Sequence, residues 1–126
     1  MPSADSIAAA EPLGTRAALD ALLVAPCTGN TLGKLAHGIT DTAVTMACKA
    51  HLRNGRPLIL AISTNDGLSG SAESIARLLQ RKNVYFVPFR QDAPHTKPFS
   101  LQADFDLLEE TVAAALRGEQ LQPVLV

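Results

Sequence analysis

Two continuous apolar runs, each ending in small polar residues, organise this chain. Leu22-Leu23-Val24-Ala25 precedes Pro26-Cys27-Thr28-Gly29-Asn30-Thr31, and Leu58-Ile59-Leu60-Ala61-Ile62 precedes Ser63-Thr64-Asn65. Unbroken hydrophobicity of this kind marks strands covered on both faces, as in a parallel sheet between helices. Pro26 lacks an amide donor and is expected to end the first strand. Val84 to Val87 predicts a third strand. Between these runs the spacing becomes helical. It predicts helices from about Asn30 to His37, closed by Gly38, and from about Thr42 to Arg53, capped by Thr40 or Asp41. The second would carry Val44, Ala47, Cys48 and His51 on one face. After a flexible stretch from Asp66 to Gly70, Ser71 is expected to cap a helix turning Ile75, Leu78 and Leu79 inward and ending at Asn83. Pro88, Pro94 and Pro98 make Pro88 to Ser100 an irregular loop. Leu101 or Asp104 then opens a helix spaced through Phe105, Leu108, Val112 and Leu116 up to Gly118, and Gln120 to Val126 is an extended tail. Strands alternating with helices predict an α/β fold of about three parallel strands joined by right-handed crossovers. Ligands bind such sheets outside the carboxyl ends of the strands, where Thr28, Asn30, Ser63 and Asn65 gather.

Composition narrows the choice of partner. At 126 residues the chain is one domain at most, with residues 1–19, rich in Ala, Ser and Pro, expected as a mobile leader and 20–126 as the α/β domain. It is 47% hydrophobic and only 4% aromatic, an aliphatic profile without a stacking surface for bases. With 11 basic against 12 acidic residues, no overall field draws nucleic acid or an anionic membrane, so any anion site must be local. Cys27 and Cys48 lack metal-ligand spacing and fit a reducing, cytoplasmic setting better than a disulfide framework. His37, His51 and His95 are too scattered for a metal constellation, and no apolar run is long enough to span a membrane.

The turn after the first strand carries the candidate chemistry. Thr28, Gly29, Asn30 and Thr31 place hydroxyls, an amide and free backbone N–H groups at a helix start, a position that favours an anion. The same residues equally serve as an ordinary cap. Lys34 is either a countercharge or part of a solvated face, and neither a GxxxxGK[ST] loop nor a GxGxxG fingerprint is present. At the second strand end, Ser63 and Thr64 add hydroxyls, and Asn65 is a good turn residue. Asp66 either accepts a proton, orients a substrate amine, or is solvated. Arg90, His95 and Lys97 make their loop locally basic, either to meet a dicarboxylate or simply to face water. Asp41 reads as a cap, and Cys27, despite its place beside a helix start, as a packing residue.

Ala25-Pro26-Cys27-Thr28-Gly29-Asn30-Thr31-Leu32, followed by Lys34 and Leu35, resembles the Ala-Pro-x-Ser/Thr-x-Asn-Thr segment of the flavoprotein superfamily that includes the cysteine decarboxylases. Within it, the dipicolinate synthase B subunits are resembled more closely. That likeness runs through Thr40-Asp41-Thr42, Met46-Ala47, Lys49-Ala50, Leu52-Arg53-Asn54, Arg56-Pro57-Leu58 and Ile62-Ser63-Thr64-Asn65-Asp66. It continues through Lys82-Asn83, Phe86-Val87-Pro88-Phe89, Gln91-Asp92, Lys97-Pro98, Ser100-Leu101 and Gln120-Leu121-Gln122-Pro123. The resemblance implies a flavoprotein-like, Rossmann-type three-layer sandwich. It also implies an oxidoreductase subunit that works with a dipicolinate synthase A subunit in making pyridine-2,6-dicarboxylate during sporulation, in the mother cell, on a small dicarboxylate substrate. Thr28, Gly29, Asn30, Thr31 and Lys34, with Ser63, Thr64 and Asn65, become candidate contacts for a cofactor phosphate, FMN or NADPH, and Asn65 and Asp66 candidate catalytic residues. Two other roles remain open: a scaffold subunit without cofactor, and a flavin-dependent decarboxylase. The decarboxylase Pro-x-Met-Asn segment is altered here, with Ile62 and Thr64 in place of Pro and Met, and Leu68 in place of a later Met. Nothing in residues 1–20 resembles the Gly-x-Thr-Gly-Ser-like loop and strand that precede this segment in the family. The first strand is therefore expected to carry an open apolar edge at Leu22 and Val24, which predicts either assembly, as a homo-oligomer or with a partner, or poor autonomous stability.

Overall fold

A computed structural model describes residues 20–126; the leader expected over 1–19 lies outside the described residues. The central strand is β2 (Leu58–Thr64), in which Leu58 through Ile62 are all fully buried. β1 (Leu22–Cys27) runs parallel to it, with Leu22 opposite Leu58 and Cys27 opposite Ile62. On the other side, β3 (Val84–Phe86) is parallel to the first half of β2, with Leu58 opposite Val84. β5 (Leu101–Ala103) is antiparallel to its last residues, with Ser63 opposite Gln102 and Thr64 opposite Leu101. β4 (Phe89–Arg90) in turn pairs antiparallel with β5. The sheet is thus mixed and five-stranded. β1 to β3 match the parallel strands expected from sequence, and β4 and β5 correct the expected loop and the helix start at Leu101. A strand of two or three residues between prolines has no periodicity of its own and exists by pairing with a neighbour.

β1 also corrects the role of Pro26. The strand continues to Cys27 through a register break between Val24 and Cys27, with the Ala25–Pro26 peptide cis. Among the described residues β1 pairs only with β2, and a missing donor is tolerated on such an edge strand.

Helices cover both faces of the sheet. On one side lie α1 (Gly29–His37), α2 (Ala43–Arg53) and α3 (Ala72–Leu79), whose Leu32, Leu35, Cys48, Ile75 and Leu78 pack on Leu58, Leu60, Ile62 and Phe86. On the other, α4 (Leu108–Leu116) brings Leu108, Val112 and Ala115 against Ile59, Ala61 and Val87. β2 therefore serves two cores, and each of its large side chains contributes about 1.5–3 kcal/mol by leaving water. Gly38 closes α1 in the left-handed region at φ 72°, as its position predicts. The cap of α2 is Thr42 rather than Thr40 or Asp41: Thr42 and Thr45 form a reciprocal capping box. Leu79, expected inward, is exposed, because α3 ends there.

The carboxyl-terminal tail closes the outer edge of β3. The Gln120 carboxamide accepts from Phe86 N at 2.8 Å and donates to Phe86 O at 2.7 Å, imitating one residue of a neighbouring strand. Further on, Phe89 N donates to Val124 O at 2.9 Å.

Candidate functional site

Parallel pairing of β1 with β2 brings two strand ends side by side, and with them the start of α1 and the turn from Asn65 to Ser71. Asp66 is the hub of that junction. Its Oδ1 accepts from Thr64 Oγ1 at 2.6 Å and from Ser71 Oγ at 2.7 Å, while its own amide donates to Thr64 Oγ1 at 3.1 Å. These hydroxyl bonds, Thr64 first and Ser71 second, hold the Asp66 carboxyl below the ordinary carboxylate range. Asp66 is therefore an ionised acceptor with part of its lone-pair capacity committed. Ser71 is at its expected place but makes no side-chain cap bond to α3, because its hydroxyl is turned to Asp66.

Gly29, the first residue of α1, is wedged against this hub. A Cβ there would stand 2.9 Å from Ser71 Oγ, 3.2 Å from Asp66 Oδ1 and 3.3 Å from Thr64 Oγ1. Only a residue without a side chain lets the helix start come this close. Gly67 fulfils the same requirement on the opposite side of the turn, where a Cβ would meet the Leu101 side chain at 2.6 Å. Leu68 N donates to Phe99 O at 3.0 Å, joining the turn to the loop after β4.

The helix start itself is loosely capped. Thr28 Oγ1 receives the Thr31 amide at 3.5 Å and approaches Thr31 Oγ1 at 3.4 Å, at the weak limit of hydrogen bonding. At α2 the corresponding Thr42–Thr45 contacts are 2.7–3.1 Å. The amides of Gly29 and Asn30, in the first turn of α1, have no acceptor within the helix, and no acidic residue occupies that turn. The exposed Thr28 and Asn30 side chains border this group of donors. The positive end of the helix is thus available to an acceptor from outside, with the Asp66 carboxylate on its inner side.

Other candidates are directed elsewhere. Lys34 pairs with Asp41 at 3.0 Å, at the far end of α1 from Thr28, which corrects Asp41 as a cap and gives Lys34 a carboxylate of the chain's own. Ser63 donates to Gln102 Oε1 at 2.8 Å, and Asn65 is exposed beside Asp66. Arg90 reaches Asp104 at 3.2 Å, leaving His95 and Lys97 as the exposed basic groups of their loop. Cys27 is fully buried, and burial pushes its thiol well up, with the nearby Cys48 adding to the shift; Cys48 itself is pushed up to about 12. Neither is a nucleophile, so packing is the role of both. His51, expected on a helix face, is buried, and its Nε2 is shut from water without a partner. Burial foremost, then the Arg56 charge, hold it below the ordinary histidine range despite a backbone bond at Pro57. Among the described residues no group of three His, Cys, Asp or Glu side chains is placed to hold a metal, and no helix is long and apolar enough to cross a membrane. Sequence reasoning missed Ser71 and Gly67 as parts of the site: the Ser71 hydroxyl reads as a helix cap until the turn folds it onto Asp66, and Gly67 meets Leu101 only in the tertiary structure.

The chain is similar to several known proteins. The chain is similar to the dipicolinate synthase B subunit of Bacillus subtilis (strain 168), at 51% identity over 122 residues, covering 97% of this chain and 61% of that protein. Flavin prenyltransferase UbiX of Neisseria meningitidis serogroup B is 32% identical over 97 residues, which cover 77% of this chain and 49% of that enzyme. The crystal structure of the dipicolinate synthase B subunit from Bacillus halodurans superposes with a TM-score of 0.88 at 50% identity, over 95% of this chain and 62% of the other. The FMN-dependent cysteine decarboxylase SpaF, at 22% identity and a TM-score of 0.59 over 83% of this chain and 55% of its own, shares the fold. The chain spans less than two thirds of the length of both dipicolinate synthase relatives. The family described as Flavoprotein matches residues 4–87, a segment that contains β1, the open start of α1 and the Asp66 hub, and the chain belongs to that family.

Proposed function

We propose that the chain acts as a dipicolinate synthase B subunit. With an A subunit it would serve the oxidation of a dihydrodipicolinate-pathway intermediate to pyridine-2,6-dicarboxylate in a sporulating cell. The observation that carries this reading is 51% identity along 97% of the chain to a protein of that kind, strand-end turns included. A flavin is the cofactor class that the family implies. The residues present fit its phosphate: the amides of Gly29 and Asn30, the weakly held Thr31 amide and the Thr28 hydroxyl form a donor set open to an outside anion. When bound, the flavin would supply the electron transfer. The chain's own groups hold and orient: Thr28 to Thr31 receive an anion, Asp66 fixes the β2 turn against Gly29, and Asn65 offers an exposed amide beside it.

A second reading rests on Asp66. Its carboxylate already stands beside the start of α1, so a scaffold subunit needs no cofactor phosphate to complement that helix end. Purified chain, with and without added FMN, distinguishes the two by its absorption after dialysis, and co-production with an A subunit tests the assignment itself. Retained flavin and dipicolinate formation only with both subunits are expected. Dipicolinate formation without flavin would select the scaffold, and failure to associate with or activate an A subunit would overturn both readings.

A further inference from the structure

A cavity of about 210 Å³ lies between α1, α2 and the chain just after α3, at the end of α1 remote from Thr28. Its lining includes an apolar part, Leu35, Leu52 and the exposed Ile39, and three cations, Lys34, Lys49 and Arg81. The three cations are not equivalent. Lys34 is neutralised by Asp41 at 3.0 Å. Arg81 Nη1 donates one long bond, 3.4 Å, to Leu35 O, and the rest of its guanidinium fork makes no side-chain bond among the described residues. Lys49 is exposed and makes no ion pair among the described residues. Two charges without an ion pair among the described residues therefore line one small, partly apolar recess.

The carboxyl end of α1 accounts for Lys34 and for the Arg81 bond to Leu35 O, but not for Lys49 or for the rest of the Arg81 fork. The last carbonyls of α1 are already served by backbone donors, Gly38 N to Leu35 O and Ile39 N to Lys34 O, and Lys34 stands in the last turn. Lys49 belongs to a different helix. A bare inorganic anion would meet the charges and leave the Leu35, Ile39 and Leu52 surface wet, whereas an organic body covers it. The volume lies below the roughly 300–1,000 Å³ of drug-sized sites, which limits the occupant to a small molecule.

We propose that this cavity binds a small organic dicarboxylate, one carboxylate on the Arg81 fork and the other on the Lys49 ammonium, with its carbon frame on the apolar part of the lining. The site is independent of the strand-end turn and of any cofactor held there.

The test is an NMR titration of the isotope-labelled full chain at low ionic strength, with succinate, pyridine-2,6-dicarboxylate and inorganic phosphate in separate arms. At least one dicarboxylate is expected to give saturable one-to-one shifts at Ile39, Thr40, Lys49 and Arg81, with phosphate weaker by about tenfold or more. Lys49→Gln and Arg81→Gln should each weaken that binding by about tenfold. Met46→Ala, on the exposed part of α2 outside the cavity, should leave it unchanged. No saturable shift, phosphate equal to the dicarboxylates, or shifts confined to Thr28–Asn30 and indifferent to both charge variants would overturn the proposal. Binding at the strand-end turn is read from separate resonances, so failure here and failure of the flavin reading are distinguishable.

Discussion

Gly29→Ala tests whether the start of α1 is held by contact with the Asp66 hub. In a helix, alanine normally gains about 0.5–1 kcal/mol over glycine. Gly33, one turn further along α1, should show that gain, since a Cβ there meets nothing nearer than Ser74 Oγ at 4.0 Å. At Gly29 the added methyl stands 2.9 Å from Ser71 Oγ, closer than real Cβ contacts come, and 3.2 Å from Asp66 Oδ1, tighter than most. Relief requires turning the Ser71 hydroxyl away and losing its 2.7 Å bond to an ionised carboxylate. That bond is worth about 1.5–3 kcal/mol. Set against the glycine-to-alanine gain, Gly29→Ala should destabilise by about 1–2 kcal/mol while Gly33→Ala stabilises. Urea unfolding of the two variants measures the contrast. A cycle with Ser71→Ala isolates its cause, because the methyl then fills space vacated by the hydroxyl and most of its cost should vanish as a coupling of about 1–2 kcal/mol. Equal behaviour of Gly29→Ala and Gly33→Ala, or a cost that survives Ser71→Ala, would refute the reasoning.

Two further outcomes follow from groups outside this hub. His51 is held below its ordinary value of 6.5, so the unfolded chain takes up a proton that the fold refuses; its stabilising contribution is complete above that value and is lost as pH falls from there through the lower folded value. His51→Leu should remove this part of the acid-side loss of stability, and an unchanged pH profile of urea midpoints, or an imidazole that titrates normally by NMR, would show that the ring is not sequestered. Gln120→Ala deletes both carboxamide bonds to Phe86 and should cost about 1–3 kcal/mol, with faster hydrogen exchange at the Phe86 amide. Gln120→Glu keeps an acceptor for the amide but sets a carboxylate against the Phe86 carbonyl, so it should not restore stability; full stability in either variant would mean that the β3 edge is closed by something else.

How much of this was legible in sequence differs between elements for definite reasons. β1 and β2 are visible because a strand serving two cores must be apolar at every position, as Leu58 to Ile62 are. β5 is not visible, because Leu101–Ala103 becomes a strand only where the end of β2 offers Ser63 and Thr64 for pairing. The end of β1 was misplaced since Pro26 reads as a terminator unless the strand is known to lie at an edge. For the candidate site the clearest case is a pair of identical local signals. Thr28-x-x-Thr31 and Thr42-x-x-Thr45 have the same spacing before a helix, and sequence alone does not tell them apart. In the fold, Thr45 is buried and drawn into a box with contacts of 2.7–3.1 Å, whereas Thr28 is exposed at a strand end and its bonds to Thr31 stretch to 3.4–3.5 Å. Burial tightens one cap and exposure loosens the other. The difference arises from parallel pairing, which opens the start of α1 at the carboxyl end of the sheet and places Asp66, 37 positions further along than Gly29, against its inner side. The same threonine pattern thus gives a tight cap at one helix start and a loose one at the other, and the tertiary position of each start decides which. The proposed anion at Thr28 would be the consequence of the loose one.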